Sequence, residues 1–265
     1  MLARTLTSLH GRSTQLGTQL EGYAGAKTPG TGGCGIKRRA ALVEDKVFPQ
    51  RRGATSIGIN VFATPRERHG EMLETLGAIA DLADSHALPK NMYSSFHPAI
   101  EAPIVVNYVQ YADPTGGREL AAVARPLVDR THELSTSHEM RYYDAVDVVT
   151  ARGDSEFEVV AGKDTVAVIS VYVLEPDKQS ALIDALRNYA DSVKPADGFK
   201  AMSVLQGQKP EHAAAYEIWT DIAAYRRSAT SVAREALARA RALATETLIE
   251  AYRVVRVNRH RGASG

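Results

Sequence analysis

Hydrophobic and polar positions alternate with period two through Ser56-Ile57-Gly58-Ile59-Asn60-Val61-Phe62, the pattern of a strand with one buried face. Pro65, suited to a first helical turn, then opens a helical pattern to Leu88. Its apolar positions Met72, Leu76, Ile79 and Ala83 follow the i, i+4, i+7, i+11 spacing of a single buried stripe. Two strand-like runs follow, 91–99 and 104–112. A helical stretch from about Gly117 to Thr136, interrupted near Pro126, leads to a last strand over 141–149. The order is βαββαβ.

The same order recurs. A strand over 166–173 precedes a helix over 176–193 that carries Leu182, Leu186, Tyr189 and Val193 on one face. Strands over 199–206 and 213–220, a long Ala/Arg-rich helix from Asp221 to Thr247 and a strand over 249–257 complete the second copy. Ile59-Asn60-Val61-Phe62 with Pro65 aligns with Ile169-Ser170-Val171-Tyr172 with Pro176. Likewise Asn107-Tyr108-Val109-Gln110-Tyr111 aligns with Ala215-Tyr216-Glu217-Ile218-Trp219. The pattern therefore predicts an α+β protein of two tandem ferredoxin-like domains, each a four-stranded antiparallel sheet with two helices on one face. An uncovered apolar sheet face costs about 25 cal/mol per Å² left in water. The other copy is the natural cover, so two sheets packed face to face are expected to form a pseudo-dimeric eight-stranded α+β barrel. The domains are drawn at 55–150 and 164–259, with a linker at 151–163 and a disordered end at 260–265.

Residues 1–54 break this pattern. They hold nine basic residues against Glu21, Glu44 and Asp45, and runs such as Gly30-Thr31-Gly32-Gly33-Cys34-Gly35. Such chain cannot offset its ordering entropy by burial, so a mostly disordered basic tail is expected. The whole chain has 265 residues and a formal net charge of +1, which offers no global field for a polyanion and argues against nucleic acid as a partner. A single cysteine forms no internal disulfide, and no Cys/His cluster has zinc spacing, which suits a reducing, cytoplasmic location. Neither a signal peptide nor a membrane span is expected.

Ile59-Asn60-Val61-Phe62 with Pro65, Ser95-Phe96-His97, and above all Val105-Val106-Asn107-Tyr108-Val109-Gln110-Tyr111 resemble the antibiotic biosynthesis monooxygenase family of dimeric α+β barrels. The resemblance spans roughly residues 56–258. It implies an oxygenase that tailors a polycyclic aromatic polyketide with O2 and no metal, hydroxylating an anthrone or opening a ring of an angucycline. For the ring-opening members it implies reduced FAD as a dissociable co-substrate, and hence a flavin reductase as a partner. In the family a paired Asn and Trp act together. By resemblance Asn107 is the oxyanion donor, and Tyr111 stands where Trp is usual; the second copy has Trp219 but Ala215 in place of Asn. One active cleft, in the first copy, is expected.

The chemistry explains the demand for such residues. Triplet O2 reacts slowly with singlet organic molecules unless these are first made electron-rich, as a phenolate, enolate or hydroquinone. Fixed donors in a dry pocket stabilise that anion. Strand alternation puts Val105, Asn107, Val109 and Tyr111 on one face, and Tyr108 and Gln110 on the other, towards the pseudo-dimer contact. Val105, Val109, Trp219 and His132 are read as substrate-binding, and His97 as the base because imidazole titrates near neutrality. Each has a plainer alternative: core packing for Tyr111 and Trp219, a bonded strand residue for Asn107, and a surface histidine before Pro98 for His97. No Gly-x-Gly-x-x-Gly follows a strand to open a helix, which argues against a Rossmann-held nucleotide. A ligand-binding member of the barrel family and a cofactor-free isomerase or cyclase are the alternative functions; further pairing into a homo-oligomer stays open.

Overall fold

The computed structural model describes residues 46–47, 56–85, 91–112, 115–154, 157–162 and 164–259. Expectations for the rest of the tail, Cys34 and the C-terminal end lie outside these residues. The first repeat comprises β1 (Ser56–Ala63), α1 (His69–Ser85), β2 (Asn91–Pro98), β3 (Ile104–Tyr111), α2 (Gly116–Val123), α3 (Arg125–Leu134) and β4 (Ser137–Thr150). The second comprises β5 (Val166–Leu174), α4 (Gln179–Val193), β6 (Phe199–Gly207), β7 (His212–Trp219), α5 (Ile222–Arg227), α6 (Ser231–Ala242), β8 (Ala244–Arg253) and β9 (Arg256–Arg259). Val159–Val160 of the linker pairs with Lys46–Val47, so these two residues of the expected tail are in a strand.

The single helix expected over 221–247 is two helices and the start of a strand. Asp221 accepts a hydrogen bond from the Ala224 N–H at 2.8 Å, and Thr230 accepts one from the Ala233 N–H at 3.2 Å. A second N-cap needs extended backbone at Thr230, where ψ is 166°, and this ends α5 despite the helix-favouring composition. Thr230→Ala should therefore cost about 1 kcal/mol in urea denaturation. An unchanged midpoint would show that the cap carries no stability.

The strands form one continuous antiparallel sheet, in the order β8-β5-β7-β6-β4-β1-β3-β2-β9, in which the inner faces of the two repeats meet as expected. The last strand of each repeat is responsible for the continuity. The first part of β4, up to Asp144, pairs with β1, and from Tyr143 onward the strand pairs with β6, with a register shift between Ala145 and Asp147. Similarly β8 pairs with β5, and beyond Val254 and Val255 the chain continues as β9 on β2. A bridge between Ala99 and Tyr252, with the Ile100 N–H donating to the Ala251 carbonyl at 2.9 Å, brings β8 against the end of β2. The sheet thus closes on itself as a barrel at this bridge.

Alternation gives this sheet an inner and an outer face. Ile57, Ile59, Val61, Ile169 and Val171 point inward, where Tyr108 of the first repeat meets Tyr216 of the second with ring centroids 4.8 Å apart. The outer face carries two helix–sheet cores: Phe62, Met72, Leu76, Phe96, Val105 and Leu134 in the first repeat, and Val168, Tyr172, Leu182, Leu186, Tyr189 and Trp219 in the second. The expected α+β barrel of two ferredoxin-like repeats is thereby found, with the strand exchange as its additional feature. Among the described residues no helix is long and apolar enough to cross a membrane.

Candidate active site

Because Val105 lies in the helix–sheet core, Asn107, Val109 and Tyr111 share the face of β3 that the helices cover. The β1–β3 register puts Asn60 directly opposite Asn107. Both amides are half-buried, and the Oδ1 of each is sealed from solvent without a hydrogen-bond partner. An unmet buried polar atom costs about 1–3 kcal/mol, so two side by side make this the candidate place for a polar partner. An amide turned over keeps its shape, so the pair can accept from a hydroxyl or donate to an oxyanion.

On one side the amides meet the apolar core, with Phe96 opposite Asn107 on β2. On the other side lie Met140, opposite Asn60 on β4, and Tyr111 with Tyr142, whose ring centroids are 6.4 Å apart. The absence of a side chain at Gly58 admits Met140 and Tyr111; at Gly117 it admits the Tyr142 hydroxyl. Tyr111 is buried, and burial, with Tyr142 adding to it, raises its pKa. Its phenol is therefore a donor at neutral pH, and the role of a deprotonated base does not fit.

Two imidazoles stand at the far end of this face. His138 lies opposite Phe62, one diagonal step from Asn60, about 7–8 Å in such a ladder. His132, on the last turn of α3, stacks on it with centroids 3.8 Å apart and planes 9° apart. The pair is exposed. Burial, then the neighbouring His132, lowers the His138 pKa, so its ring is neutral and able to accept a proton at pH 7.

Three expected site residues are placed elsewhere. His97 is neither on this face nor at the surface: Phe96 takes the helix side of β2, so His97 points into the closed barrel and is 0% exposed. There its Nε2 is 2.8 Å from Ser95 Oγ and 3.5 Å from the Tyr216 hydroxyl, and burial lowers its pKa to about 3. A group so reluctant to take a proton, on the wrong side of the sheet, is not the base of this cleft. Val105 is wholly enclosed in the first helix–sheet core and packs there. Trp219 is core of the second repeat, edge-on to Phe199 and Tyr225, and its indole N–H donates to Glu217 Oε2 at 3.1 Å. The Tyr189 hydroxyl donates to the same oxygen at 3.3 Å. Val109 is buried on the expected face, and His132 reaches the cleft end from the helix side.

Asn60 and Met140 join Asn107 in the candidate site without having been singled out from the sequence. The available signal was the polar residue interrupting Ile59-Asn60-Val61; its partner across the ladder needed the register. In the second repeat the counterparts of Asn60 and Asn107 are Ser170 and Ala215, paired in the same way and both buried. Among the described residues no group of three or more His, Cys, Asp or Glu side chains is placed to hold a metal ion.

Comparison with known proteins agrees with this architecture. Residues 165–240 match the family model of the antibiotic biosynthesis monooxygenases. The matched segment lies within the second repeat, and together with the superpositions below it shows this family's fold. A crystal structure of an anthrone oxidase-like protein superposes with a TM-score of 0.70 at 20% identity, covering 80% of this chain and 95% of that one. A protein of Fusobacterium nucleatum assigned as a monooxygenase gives a TM-score of 0.59 at 8% identity, covering 78% of this chain and 95% of its own. One of Lactobacillus acidophilus, similarly assigned, gives 0.54 at 9% identity, covering 78% and 97%. No curated protein matches the sequence.

Proposed function

We propose that this protein is an oxygenase that tailors a polycyclic aromatic polyketide with O2 in the cleft of the first repeat. The unpartnered amide pair Asn60–Asn107 carries the reading, because the hydroxyl of a flat phenolic or enolic substrate supplies the donor that both amide oxygens lack. The family match and the similarity to an anthrone oxidase-like structure support it. His138, neutral and one diagonal step away, accepts the proton as the substrate becomes an enolate or phenolate. The amides hold the resulting oxyanion, and the apolar wall of Phe62, Phe96 and Val109 keeps it electron-rich. The anion passes one electron to O2, and the radicals combine to a carbon hydroperoxide. From an anthrone this loses water to give the quinone; from a hydroquinone it can break the adjacent C–C bond.

Oxygen uptake with an anthrone and with an angucyclinone hydroquinone, each with and without a flavin reductase supplying reduced FAD, tests the proposal, with product mass as readout. Uptake without flavin, with one oxygen atom retained in the quinone, is the expected result. Uptake only with reduced FAD and a ring-opened product would replace the direct mechanism by a flavin-assisted one. Substrate turnover without uptake would point to an isomerase or cyclase. Binding without turnover would make the protein a carrier and overturn the oxygenase reading.

A further inference from the structure

A cavity of about 390 Å³ lies where the last strand of the second repeat crosses to the first. Its walls include Arg66, His69, Leu73, Ile100, Arg253 and Val255, and none of its lining residues is acidic. The Arg66 guanidinium donates to the Glu101 carbonyl, which anchors one of its five N–H groups and leaves the others. The Glu101 carboxylate is turned away, to Arg226. His69 Nε2 is 3.0 Å from the Thr64 carbonyl oxygen, which fixes the ring. The exposed Arg253 side chain has no ion pair or hydrogen bond among the described residues.

The second repeat closes the corresponding corner. Gln179, at the start of α4, is buried there; its Nε2 lies 3.0, 3.1 and 2.9 Å from the carbonyl oxygens of Gly207, Lys209 and His212, and its Oε1 accepts from Gln206 at 2.9 Å. One copy thus fills this corner with a self-satisfied amide. The other leaves it open, with two arginines and an apolar wall among its lining residues.

We propose that this junction cavity binds an organic anion, a carboxylate or phosphate ester carried on a flat apolar body, held between Arg66 and Arg253. Charge-assisted hydrogen bonds to both guanidiniums hold the anionic group, and Leu73, Ile100 and Val255 cover the apolar part. The site is separate from the amide cleft, and the proposal is independent of the oxygenase reading.

Calorimetric titration of the full chain with 2-naphthoate, 2-naphthyl phosphate and the neutral 2-naphthalenemethanol tests it. At least one anion should bind one to one, about tenfold or more tighter than the alcohol, and the preferred anion distinguishes carboxylate from phosphate. Arg253→Gln should weaken that anion by about tenfold or more, with Arg253→Lys intermediate, while Asn107→Ala leaves it unchanged. Because the Arg253 side chain is exposed and unpaired, the thermal midpoint of Arg253→Gln should match the parent. Equal affinity for the alcohol, indifference to Arg253→Gln, loss on Asn107→Ala, or no binding of either anion at millimolar concentration would each overturn the proposal.

Discussion

Asn107→Ala lowers oxygen-dependent turnover by about 10²-fold, with the loss in kcat rather than KM, while the fold becomes no less stable. The two halves of this expectation have one cause. The Asn107 Oδ1 is buried without a partner, so truncation breaks no hydrogen bond at that atom and relieves an unmet group in the empty protein. In the reaction the same amide faces a developing oxyanion, where loss of one fixed donor costs roughly 10²–10³-fold. Asn60→Ala behaves alike, and the double variant loses less than the product of the single losses, since both amides serve one oxygen atom across the β1–β3 ladder. Steady-state oxygen uptake and thermal melts on the same preparations check both halves. Unchanged turnover removes the amide pair from the site, and a lowered melting point with proportionate loss of activity makes it structural.

Glu217→Gln changes how stability depends on pH. Glu217 is fully buried in the second helix–sheet core, and burial raises its pKa from 4.5 to about 7, with the hydrogen bonds from Trp219 and Tyr189 pulling the other way. The folded state therefore holds the proton more tightly than the unfolded chain. This contribution is complete below about pH 4.5, declines as pH rises, and is lost above about pH 7. A rise of that size corresponds to on the order of 3 kcal/mol. Glutamine keeps an acceptor for the indole and the phenol and cannot ionise. Relative to the parent the variant should be near neutral at pH 4.5 and more stable by on the order of 3 kcal/mol at pH 8. His97, with its lowered pKa, acts in the opposite sense and is common to both proteins, so it drops out of the difference. Urea denaturation at the two pH values measures it; an equal difference at both would show that Glu217 does not titrate in this range.

These two results separate the duplicated halves. The first repeat keeps two unmatched amides facing each other under its helices; at the corresponding ladder position the second has Ser170 and Ala215, with Trp219, Phe199 and Tyr225 beside a carboxylate that serves as an acceptor. Asn against Ala at 107 and 215 was visible in the sequence and is the ground for expecting the cleft in the first copy. Glu217 was visible too, as one polar position in a strand, but only its contacts with Tyr189 and Trp219 show that it is locked in a core.

Local pattern alone determined the βαββαβ order, its duplication, and the shared face of Asn107, Val109 and Tyr111, because strand alternation and helical stripes are properties of neighbouring residues. Helix ends were less legible: Thr230 ends one helix and starts another through a single side-chain-to-backbone bond that composition does not reveal. What only the tertiary structure decided was the exchange of the last strands, with β4 reaching β6 and β9 reaching β2. That exchange closes one sheet into a barrel, so the inward face of β2 is an interior and His97 is sealed in it. It also opens the cation-lined corner between Arg66 and Arg253, while the β1–β3 register inside the first repeat sets Asn60 against Asn107. Pairings between distant strands depend on register and closure, and no window of sequence contains both partners.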